Sequence, residues 1–560
     1  MVSLPPSVKR LVFGALAATL AMCAAAGCSK VSTNTATGAH PWTRPGLLRI
    51  GEPYEPKSLN VVLDQSVIAG DISFLIDSYA VRYDQNGKPV PDALIEVPTV
   101  QNGDVSKDGK TLIYKLRHNI RWQDGQPLTC RDLVFTWHYV MDPKTNVAAT
   151  DGFRDIGSVD CRDPYTAVVH MKRLYAPFLQ QLWGVNGNAP ILPEHILEPY
   201  LKAGTQNSAP YNSMPISSGP FRVIQWERGT VVRMAANPYY FLGKPKLNEI
   251  DLYSEPDENT LETQLQTHAI DMLARGTAIN WPRYQALAAQ SGNGLKAILQ
   301  DSYEYDQISF NLRNPILDDV NVRRALAYAT NRNEIITKIM HGAETPSDSP
   351  ESPTLSWAYT ADTVHYPFDP AKARAMLDAD GWLAGRDGIR VKNGVRLEFD
   401  LSTETEGTLF KAVQELVQRQ WHDVGAEAQV KNYPTAEMFA NGTSGILSGG
   451  HFDAAIFGWS GAPDPDLDPL YSAANFAPQG QNFVHWDNPL VNKALADGLQ
   501  TIDQAQRKRD YVIFQQQFAL DVPSIVIGFR KQPYVYNDDL KGFDPSPVIS
   551  PFWDPWEYSI

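Results

Sequence analysis

Residues 458–462 read Gly-Trp-Ser-Gly-Ala and are the segment of this chain closest to a catalytic motif. They nearly reproduce the GxSxG turn, in which a serine at the end of a strand becomes a nucleophile. That turn must lead directly into a helix, whose N-terminus helps to stabilise the oxyanion. Here Pro463, Pro465 and Pro469 follow, and proline disrupts a helix because it lacks the N–H and clashes with the preceding turn. The sequence therefore predicts that the segment is not a hydrolase site and that the protein is not an enzyme.

The acidic residues that follow imitate a calcium-binding loop. Asp464, Asp466 and Asp468 occupy the first, third and fifth positions of such a loop. However, Pro469 lies where the sharp turn requires glycine, and Asn475 lies where a bidentate glutamate is needed. The 11 histidines form no HExxH pattern, and no glycine-rich phosphate loop precedes a helix. We therefore expect turn and cap formation at these aspartates, with no metal and no cofactor.

The overall composition is that of a large globular protein. Of the 560 residues, 43% are hydrophobic, which is enough for a sizeable core divided among roughly three or four folding units. The 63 acidic and 49 basic residues give a net charge of -14, which disfavours nucleic acid and anionic membrane surfaces as partners. Strand and helix patterns alternate without a fixed repeat, so the sequence predicts a mixed α/β architecture.

The N-terminus has the pattern of an export signal. Lys9 and Arg10 precede an apolar stretch at 11–26, which is shorter than the roughly 20 residues of a membrane-spanning helix. Residues 25–28, Ala-Ala-Gly-Cys, resemble the lipobox of bacterial lipoproteins. This resemblance implies a signal peptide at 1–27, cleavage before a lipidated Cys28, and a flexible tether at 28–45. The mature protein would then lie in the periplasm or on the outer cell surface, anchored to the membrane.

Two further cysteines, Cys130 and Cys161, would remain in the folded part of an exported protein. In an oxidising compartment such a pair favours a disulfide, which would close a loop of about 30 residues and contribute about 3–4 kcal/mol. The alternative is two small buried thiols.

Local signals place several helices and strands. Thr129 and Asp132 predict the start of a helix through Val140, and Asp369 and Pro370 predict another at 371–380. A third helix is expected at 409–424, where the apolar stripe Leu409, Val413, Leu416, Val417 and Val424 predicts core packing. Strands are expected at 111–116, 166–171, 231–235, 250–253, 307–311 and 454–457.

Five stretches, in the same order along the chain, resemble the large extracellular solute-binding proteins that bind oligopeptides, dipeptides and nickel complexes. They are Trp-Gln-Asp-Gly-Gln-Pro-Leu-Thr at 122–129, Ser-Gly-Pro-Phe-Arg-Val at 218–223 with Asn-Pro-Tyr-Tyr at 237–240, Asp-Asp-Val-Asn-Val-Arg-Arg-Ala-Leu at 318–326, Asp-Pro-Ala-Lys-Ala at 369–373 with Gly-Trp at 381–382, and Phe-Asp at 452–453 with Gly-Trp at 458–459. The resemblance covers essentially the whole mature chain. Each motif also has a local role, and for Arg323 we expect a tie between a helix and the core.

The resemblance implies a two-lobed α/β fold of the periplasmic-binding-protein type, in the large type II form with three domains and a ligand cleft between the lobes. Mapped onto this chain, domain I comprises 46–84, 215–303 and 523–560, domain II comprises 85–214, and domain III comprises 304–522. The chain would cross between the lobes near Tyr303 and again at 522–527, and the lobes would close about these two short segments.

The resemblance further implies an extracytoplasmic receptor of an ABC importer, monomeric, which carries a peptide or peptide-like solute to a permease and ATPase complex. Two alternatives stay open. One is a metal chelate or an opine-like solute as the ligand, since the fold does not fix the ligand. The other is a stand-alone binding lipoprotein with a sensing or chaperone role.

The expected ligand-binding residues are Trp459, Ser460, Gly461, Ala462 and Asp464. In peptide-binding members of the family, a tryptophan after the strand is followed three residues later by an aspartate that pairs with the ligand's ammonium group. This chain keeps Trp459 but has Ala462 at the aspartate position. Asp464 is the nearest replacement, with loop capping as its equal alternative. For Trp459 the alternative to ligand contact is core packing.

Overall fold

The structure is a computed structural model that describes residues 39–64, 66–147, 150, 152–185, 189–273, 281–405, 408–440, 442–548 and 550–560. The predicted export signal and Cys28 lie outside the described residues. Strands and helices alternate along the chain, as the sequence predicts.

The strands, numbered in chain order, are β1 Leu47–Glu52, β2 Val81–Tyr83, β3 Pro89–Pro91, β4 Thr111–Lys115, β5 Ile156–Asp163, β6 Thr166–Met171, β7 Phe221–Glu227, β8 Val231–Ala236, β9 Glu249–Ser254, β10 Met272–Leu273, β11 Leu295–Phe310, β12 Glu344–Thr345, β13 Leu383–Ala384, β14 Arg390–Lys392, β15 Val395–Arg396, β16 Glu398–Ser402, β17 Glu427–Val430, β18 Ala454–Ser460 and β19 Ser524–Asn537.

The α-helices are α1 Val67–Ile76, α2 Cys130–Met141, α3 Phe178–Gln181, α4 Glu194–Ala203, α5 Glu258–Gln266, α6 Trp281–Ala288, α7 Val320–Ala329, α8 Arg332–Glu334, α9 Pro370–Ala379, α10 Thr408–His422, α11 Thr435–Met438, α12 Ile446–Gly449, α13 Asp468–Tyr471, α14 Pro489–Leu499 and α15 Gln504–Asp521. Among the described residues, none of these helices has the length and apolar character needed to cross a membrane.

One large sheet organises the fold, in the order β17-β16-β18-β11-β19-β10-β1-β9-β8-β7, with β12 paired to β19. Its centre is the antiparallel pair of long strands β11 and β19. The pairing of these two strands shifts in register between Asp301 and Tyr305 and again between Asp306 and Gln307. Tyr303, near which the sequence places the first crossing between lobes, lies inside this interruption. β4, β6 and β5 form a separate antiparallel sheet.

Three large apolar clusters fill the interior. The first surrounds β4, β6 and α2, the second packs α7 and α10 against β11, β16 and β18, and the third packs α1 against β1, β8 and β9. Residues Arg44–Ile560 form one compact unit by contact, so the division into domains I, II and III stays a proposal.

The helices predicted from capping signals form where expected. α2 begins after Thr129, whose backbone N–H donates to the Asp132 carboxylate at 2.7 Å. α9 begins after Asp369, whose carboxylate accepts the Lys372 N–H at 2.9 Å. In α10 the predicted stripe is buried except at its first member: Leu409 is 45% exposed, because it lies in the first turn of the helix and beyond the core.

Arg323 is a tie between α7 and the core, as the sequence predicts. It is buried, and its guanidinium donates to the carbonyl oxygens of Leu317, Asp318, Asp521 and Val522 at 2.7–3.1 Å. These bonds hold the start of α7 against the end of α15, immediately before β19.

The structure joins Cys130, at the start of α2, to Cys161 on β5 by a disulfide with 5.7 Å between the two Cα atoms. The bridge closes a loop with a sequence separation of 31 residues and fastens α2 to the β4-β6-β5 sheet.

Candidate ligand cleft

The segment around Trp459 lies at the end of β18, beside the interruption in β11. Trp459 is opposite Tyr305 in the antiparallel pairing of β18 with β11. The backbone N–H of Gly461 donates to the carbonyl of Tyr303 at 2.8 Å. A Cβ atom at position 461 would approach that carbonyl oxygen to 2.9 Å, so glycine permits this close contact. The backbone thus holds the predicted binding segment directly against the place where the two long strands change register.

A cavity of about 270 Å³ opens beside this segment. Its lining comes from three regions of the chain that are far apart in sequence: 175–181, 303–352 and 459–481, together with β19. The lining residues are Tyr175, Gln180, Gln181, Tyr303, Pro350, Glu351, Ser352, Trp459, Ser460, Gly461, Ala462, Pro465, Asp466, Leu467, Pro469, Leu470, Gln481 and Phe529. Four of the five predicted ligand-binding residues, 459–462, therefore share one cavity, and their role in binding remains a prediction.

Trp459 takes part in both the cavity and the packing behind it. It lines the cavity and stacks on Phe483, with ring centroids 5.7 Å apart and an angle of 22° between the rings. Its edge meets Phe457 at 6.0 Å. The indole is half-buried, so part of its surface stays available to a ligand while Phe457 and Phe483 fix its position.

Asp464 does not line the cavity and has a different partner. Its carboxylate forms a two-pronged ion pair with Arg507, in which Nη1 donates to Oδ2 at 2.8 Å and Nη2 donates to Oδ1. The Arg507 side chain is 6% exposed and also donates to the carbonyl of Gly498 and the hydroxyl of Tyr511. Burial disfavours the charged guanidinium, yet the adjacent Asp464 carboxylate raises the Arg507 pKa above its ordinary value. This placement argues against Asp464 as the partner of a ligand's ammonium group.

The other two aspartates of the run have separate protein partners. Asp466 accepts a hydrogen bond from the Tyr175 hydroxyl at 3.3 Å, and Asp468 accepts one from the Asn475 amide at 2.7 Å. The helix α13 begins at Asp468 and has Pro469 in its first turn. The prolines therefore keep residues 461–467 out of a helix but do not prevent a single helical turn after them.

Gln180 joins two distant regions of the cavity wall through its side-chain amide. Its Nε2 donates to the carbonyl of Asp464 at 2.8 Å, and its Oε1 accepts the Asp464 backbone N–H at 2.9 Å. With the Tyr175 to Asp466 bond, these contacts connect 175–180 with 464–466 across the cavity. The sequence gives no signal for Gln180, because it lies on the four-residue helix α3 without any motif.

Glu351 is the second functional candidate that the sequence does not reveal. It lines the cavity although it is only 4% exposed, and its Oε2 accepts no hydrogen bond from any group in the described residues. Burial raises the pKa of this carboxyl to about 8, while the Ser352 backbone N–H lowers it. The residue lies in a Ser-Pro-Glu-Ser-Pro loop, and only the tertiary fold places it at the cavity.

A mixed α/β fold built on one large sheet, with a cavity between distant parts of the chain, is the architecture of the periplasmic solute-binding proteins. The chain belongs to the bacterial extracellular solute-binding proteins, family 5, whose middle-region model matches residues 89–481. The resemblance found in the sequence motifs is thereby confirmed, and so is the fold class.

Individual relatives are similar over most of their length. The oligopeptide-binding protein AppA of Bacillus subtilis is 26% identical over 95% of this chain and 94% of its own. The glutathione-binding protein GsiB of Shigella flexneri is 26% identical over 78% of this chain and 81% of its own. The crystal structure of NikZ from Campylobacter jejuni in complex with Ni(L-His) is 25% identical, with a TM-score of 0.75 over 92% of this chain and 100% of that chain.

Proposed function

We propose that this protein is the solute-binding component of an ABC importer, which binds a peptide or peptide-like solute in the cavity beside Trp459 and delivers it to the permease. The observation that carries this proposal is that residues 459–462 line a cavity closed from the other side by Tyr175 and Gln180. The curated relatives bear names of oligopeptide-binding and glutathione-binding proteins, which fits a peptide-like ligand.

The size of the cavity favours a small solute. At about 270 Å³ it lies just below the range of about 300–1,000 Å³ that is typical of ligand sites. A di- or tripeptide suits such a volume better than a long peptide. A metal chelate is the alternative, because the similar protein NikZ was solved with Ni(L-His). Native mass spectrometry of the purified protein distinguishes these ligands by mass, and a protein that retains no solute and binds neither peptides nor chelates would contradict the proposal.

The proposed action is binding and closure without chemistry on the ligand. Ser460 lines the cavity, but the chain after it runs through 461–467 without a helix whose N-terminus could support an oxyanion. We infer from this that the protein acts as a receptor and not as a hydrolase. Incubation with a bound peptide should return the peptide intact, as judged by its mass.

Ligand binding is expected to contract the particle, because both sides of the cavity contribute contacts only when the lobes are closed. We assign the Gln180 to Asp464 bonds, which connect 175–180 with 464–466, to that closed form. Small-angle scattering should show a smaller radius of gyration with ligand than without, and Gln180→Ala should reduce the contraction at equal occupancy. An unchanged radius in a fully occupied wild-type protein would indicate a rigid pocket.

We further propose that the mature protein begins at a lipidated Cys28 and is tethered outside the cytoplasm through residues 28–45. The support is the Ala-Ala-Gly-Cys sequence after the apolar stretch. Several acyl chains, at about 0.8 kcal/mol per buried methylene, would anchor the protein firmly. Mass analysis of the mature N-terminus should find an acylated Cys28, and Cys28→Ser should release the protein from the membrane fraction. A mature chain that starts elsewhere would contradict this proposal.

A further inference from the structure

The cavity lining contains two acidic side chains. They are Glu351 and Asp466, and the described lining residues include no lysine, arginine or histidine. Arg507, a buried cation that lowers the Glu351 pKa, is already held by the two-pronged pair with Asp464. Ala462, in the middle of the binding segment, contributes no charge. A ligand that enters this cavity therefore meets two carboxyl groups and no positively charged side chain among the described lining residues.

Glu351 has a carboxyl oxygen with no protein donor. Its Oε2 is buried and accepts no hydrogen bond within the described ranges, while Oδ2 of Asp466 accepts the Tyr175 hydroxyl. A buried carboxylate oxygen without a donor lowers the stability of the folded state. The missing hydrogen bond at Oε2 of Glu351 is explained if a bound ligand supplies the donor.

The rest of the lining suits a cation as well. Tyr175, Tyr303, Trp459 and Phe529 bring four aromatic rings to a cavity of about 270 Å³. Aromatic faces carry partial negative charge and attract ammonium and guanidinium groups, most strongly where water is excluded. The Glu351 carboxyl group and the aromatic rings thus both favour a positively charged group on the ligand.

We propose that Glu351 pairs with a nitrogen cation of the ligand, an ammonium or a guanidinium group, and thereby selects cationic peptides or peptide-like solutes over neutral and anionic ones. This proposal rests on the proposed function, because it assumes that the cavity beside Trp459 is the ligand site. It names a residue that neither the sequence motifs nor the run of aspartates after Trp459 indicates.

A consequence is that ligand binding should release a proton. Burial raises the pKa of Glu351 to about 8, with a further raising effect from Asp464 and lowering effects from the Ser352 N–H and Arg507. Tyr303 and Asp466 share the cavity with it. The unliganded carboxyl therefore holds a proton at neutral pH, and a bound cation favours the carboxylate. Affinity should rise up to tenfold per pH unit from pH 6 to pH 8. Above pH 8 it should level off for a guanidinium ligand and fall for an α-ammonium ligand, which itself loses a proton at about pH 8.

The test is calorimetry with a defined peptide panel on protein freed of solute by unfolding and refolding. The probes are Ala-Arg, Ala-citrulline, and the N-acetyl forms of both, since citrulline replaces the guanidinium by a neutral group and acetylation removes the ammonium. The panel is extended by Ala-Ala, Ala-Leu and Ala-Asp with free and acetylated N-termini. We expect the peptide that binds the wild-type protein most tightly to carry a cation. If replacement of arginine by citrulline weakens binding, the recognised cation is the guanidinium. If acetylation of the N-terminus weakens binding, it is the ammonium.

Glu351→Gln is the decisive variant, and Asp554→Asn is its matched control. Asp554 is also a buried carboxyl with an oxygen that lacks a donor among the described residues, and burial raises its pKa to about 7, but it does not line the cavity. Glu351→Gln should lower the affinity for cationic ligands at least tenfold. It should also abolish the proton release on binding, which is measured by calorimetry in buffers of different ionisation enthalpy. Asp554→Asn should leave both unchanged. Thermal unfolding establishes that each variant is folded, and the wild-type pH profile tests the proposal even if Glu351→Gln does not fold.

The outcomes separate this proposal from the proposed function. If Trp459→Ala loses the ligand while Glu351→Gln keeps wild-type affinity and pH dependence, the cavity is the binding site and Glu351 is not its cation partner. The same conclusion follows if N-acetyl-Ala-citrulline, which has neither the ammonium nor the guanidinium, binds as tightly as Ala-Arg. If no peptide of the panel binds the wild-type protein, the peptide function is contradicted and the role of Glu351 falls with it.

Discussion

Asp464→Asn is expected to lower the free energy of unfolding by about 3–5 kcal/mol, because it leaves the buried Arg507 guanidinium without a counter-charge. The side chain of Arg507 is 6% exposed, and its Nη1 and Nη2 both donate to the Asp464 carboxylate. Asparagine keeps the size of the side chain but cannot neutralise the charge. Denaturant unfolding at pH 7 measures the difference between the variant and the wild type.

The matched control is Asp387→Asn, which removes one partner of the exposed pair between Asp387 and Arg396. Their side chains are 53% and 44% exposed, so the loss should be much smaller than that of Asp464→Asn. Asp464→Asn keeps the backbone groups that bond to Gln180, and peptide affinity should therefore change little in the folded variant. A variant of wild-type stability that loses only ligands with a free amine would instead favour the role for Asp464 expected from the sequence.

The elements that the sequence predicted well are those fixed by neighbouring residues. Thr129 with Asp132 and Asp369 with Pro370 are capping signals within one helical turn, and α2 and α9 begin where these signals place them. Such signals depend little on the rest of the chain, which explains why local inspection finds them.

The two long central strands were harder to predict. Only 307–311 was expected, whereas β11 spans Leu295–Phe310, because the charged and polar residues at 300–304 interrupt its apolar pattern. Its partner β19 contains Pro533 and begins more than 200 residues later in the chain. Strand pairing over such a distance leaves no local periodicity, so the pair that carries the proposed hinge could not be predicted from sequence.

The site shows the same contrast. Residues 459–462 could be found because Gly458-Trp459 matches a family motif and the other residues follow it directly, and the structure brings 459–462 to one cavity. Closeness in sequence favours Asp464 as the replacement for the missing aspartate, but its carboxylate pairs with Arg507, 43 residues further on. Glu351 lies more than 100 residues before the motif, and its burial exists only in the folded chain. Partners and burial are tertiary properties, and they decide which carboxylate is available to a ligand.

Trp459→Ala is expected to weaken binding of the ligand about 30-fold, corresponding to about 2 kcal/mol, which is typical of a tryptophan at the centre of a binding site. The indole lines the cavity, and its stacking on Phe483 holds it in place before the ligand arrives. Its removal takes away a flat apolar surface and part of the aromatic environment for a cation. Calorimetry with the tightest peptide measures the change.

Two comparison variants separate ligand contact from core packing. Trp226→Ala removes a half-buried tryptophan on β7, at the far edge of the large sheet, and should leave affinity unchanged. Trp459→Phe keeps an aromatic face and should restore most of the affinity that alanine loses. If Trp459→Ala lowers the free energy of unfolding but binds the peptide as the wild type does, the indole serves only the packing against Phe457 and Phe483. A loss of affinity in a folded protein, reversed by phenylalanine, requires instead that the ligand rests on the ring at position 459, and this places the solute between β18 and the wall that carries Glu351.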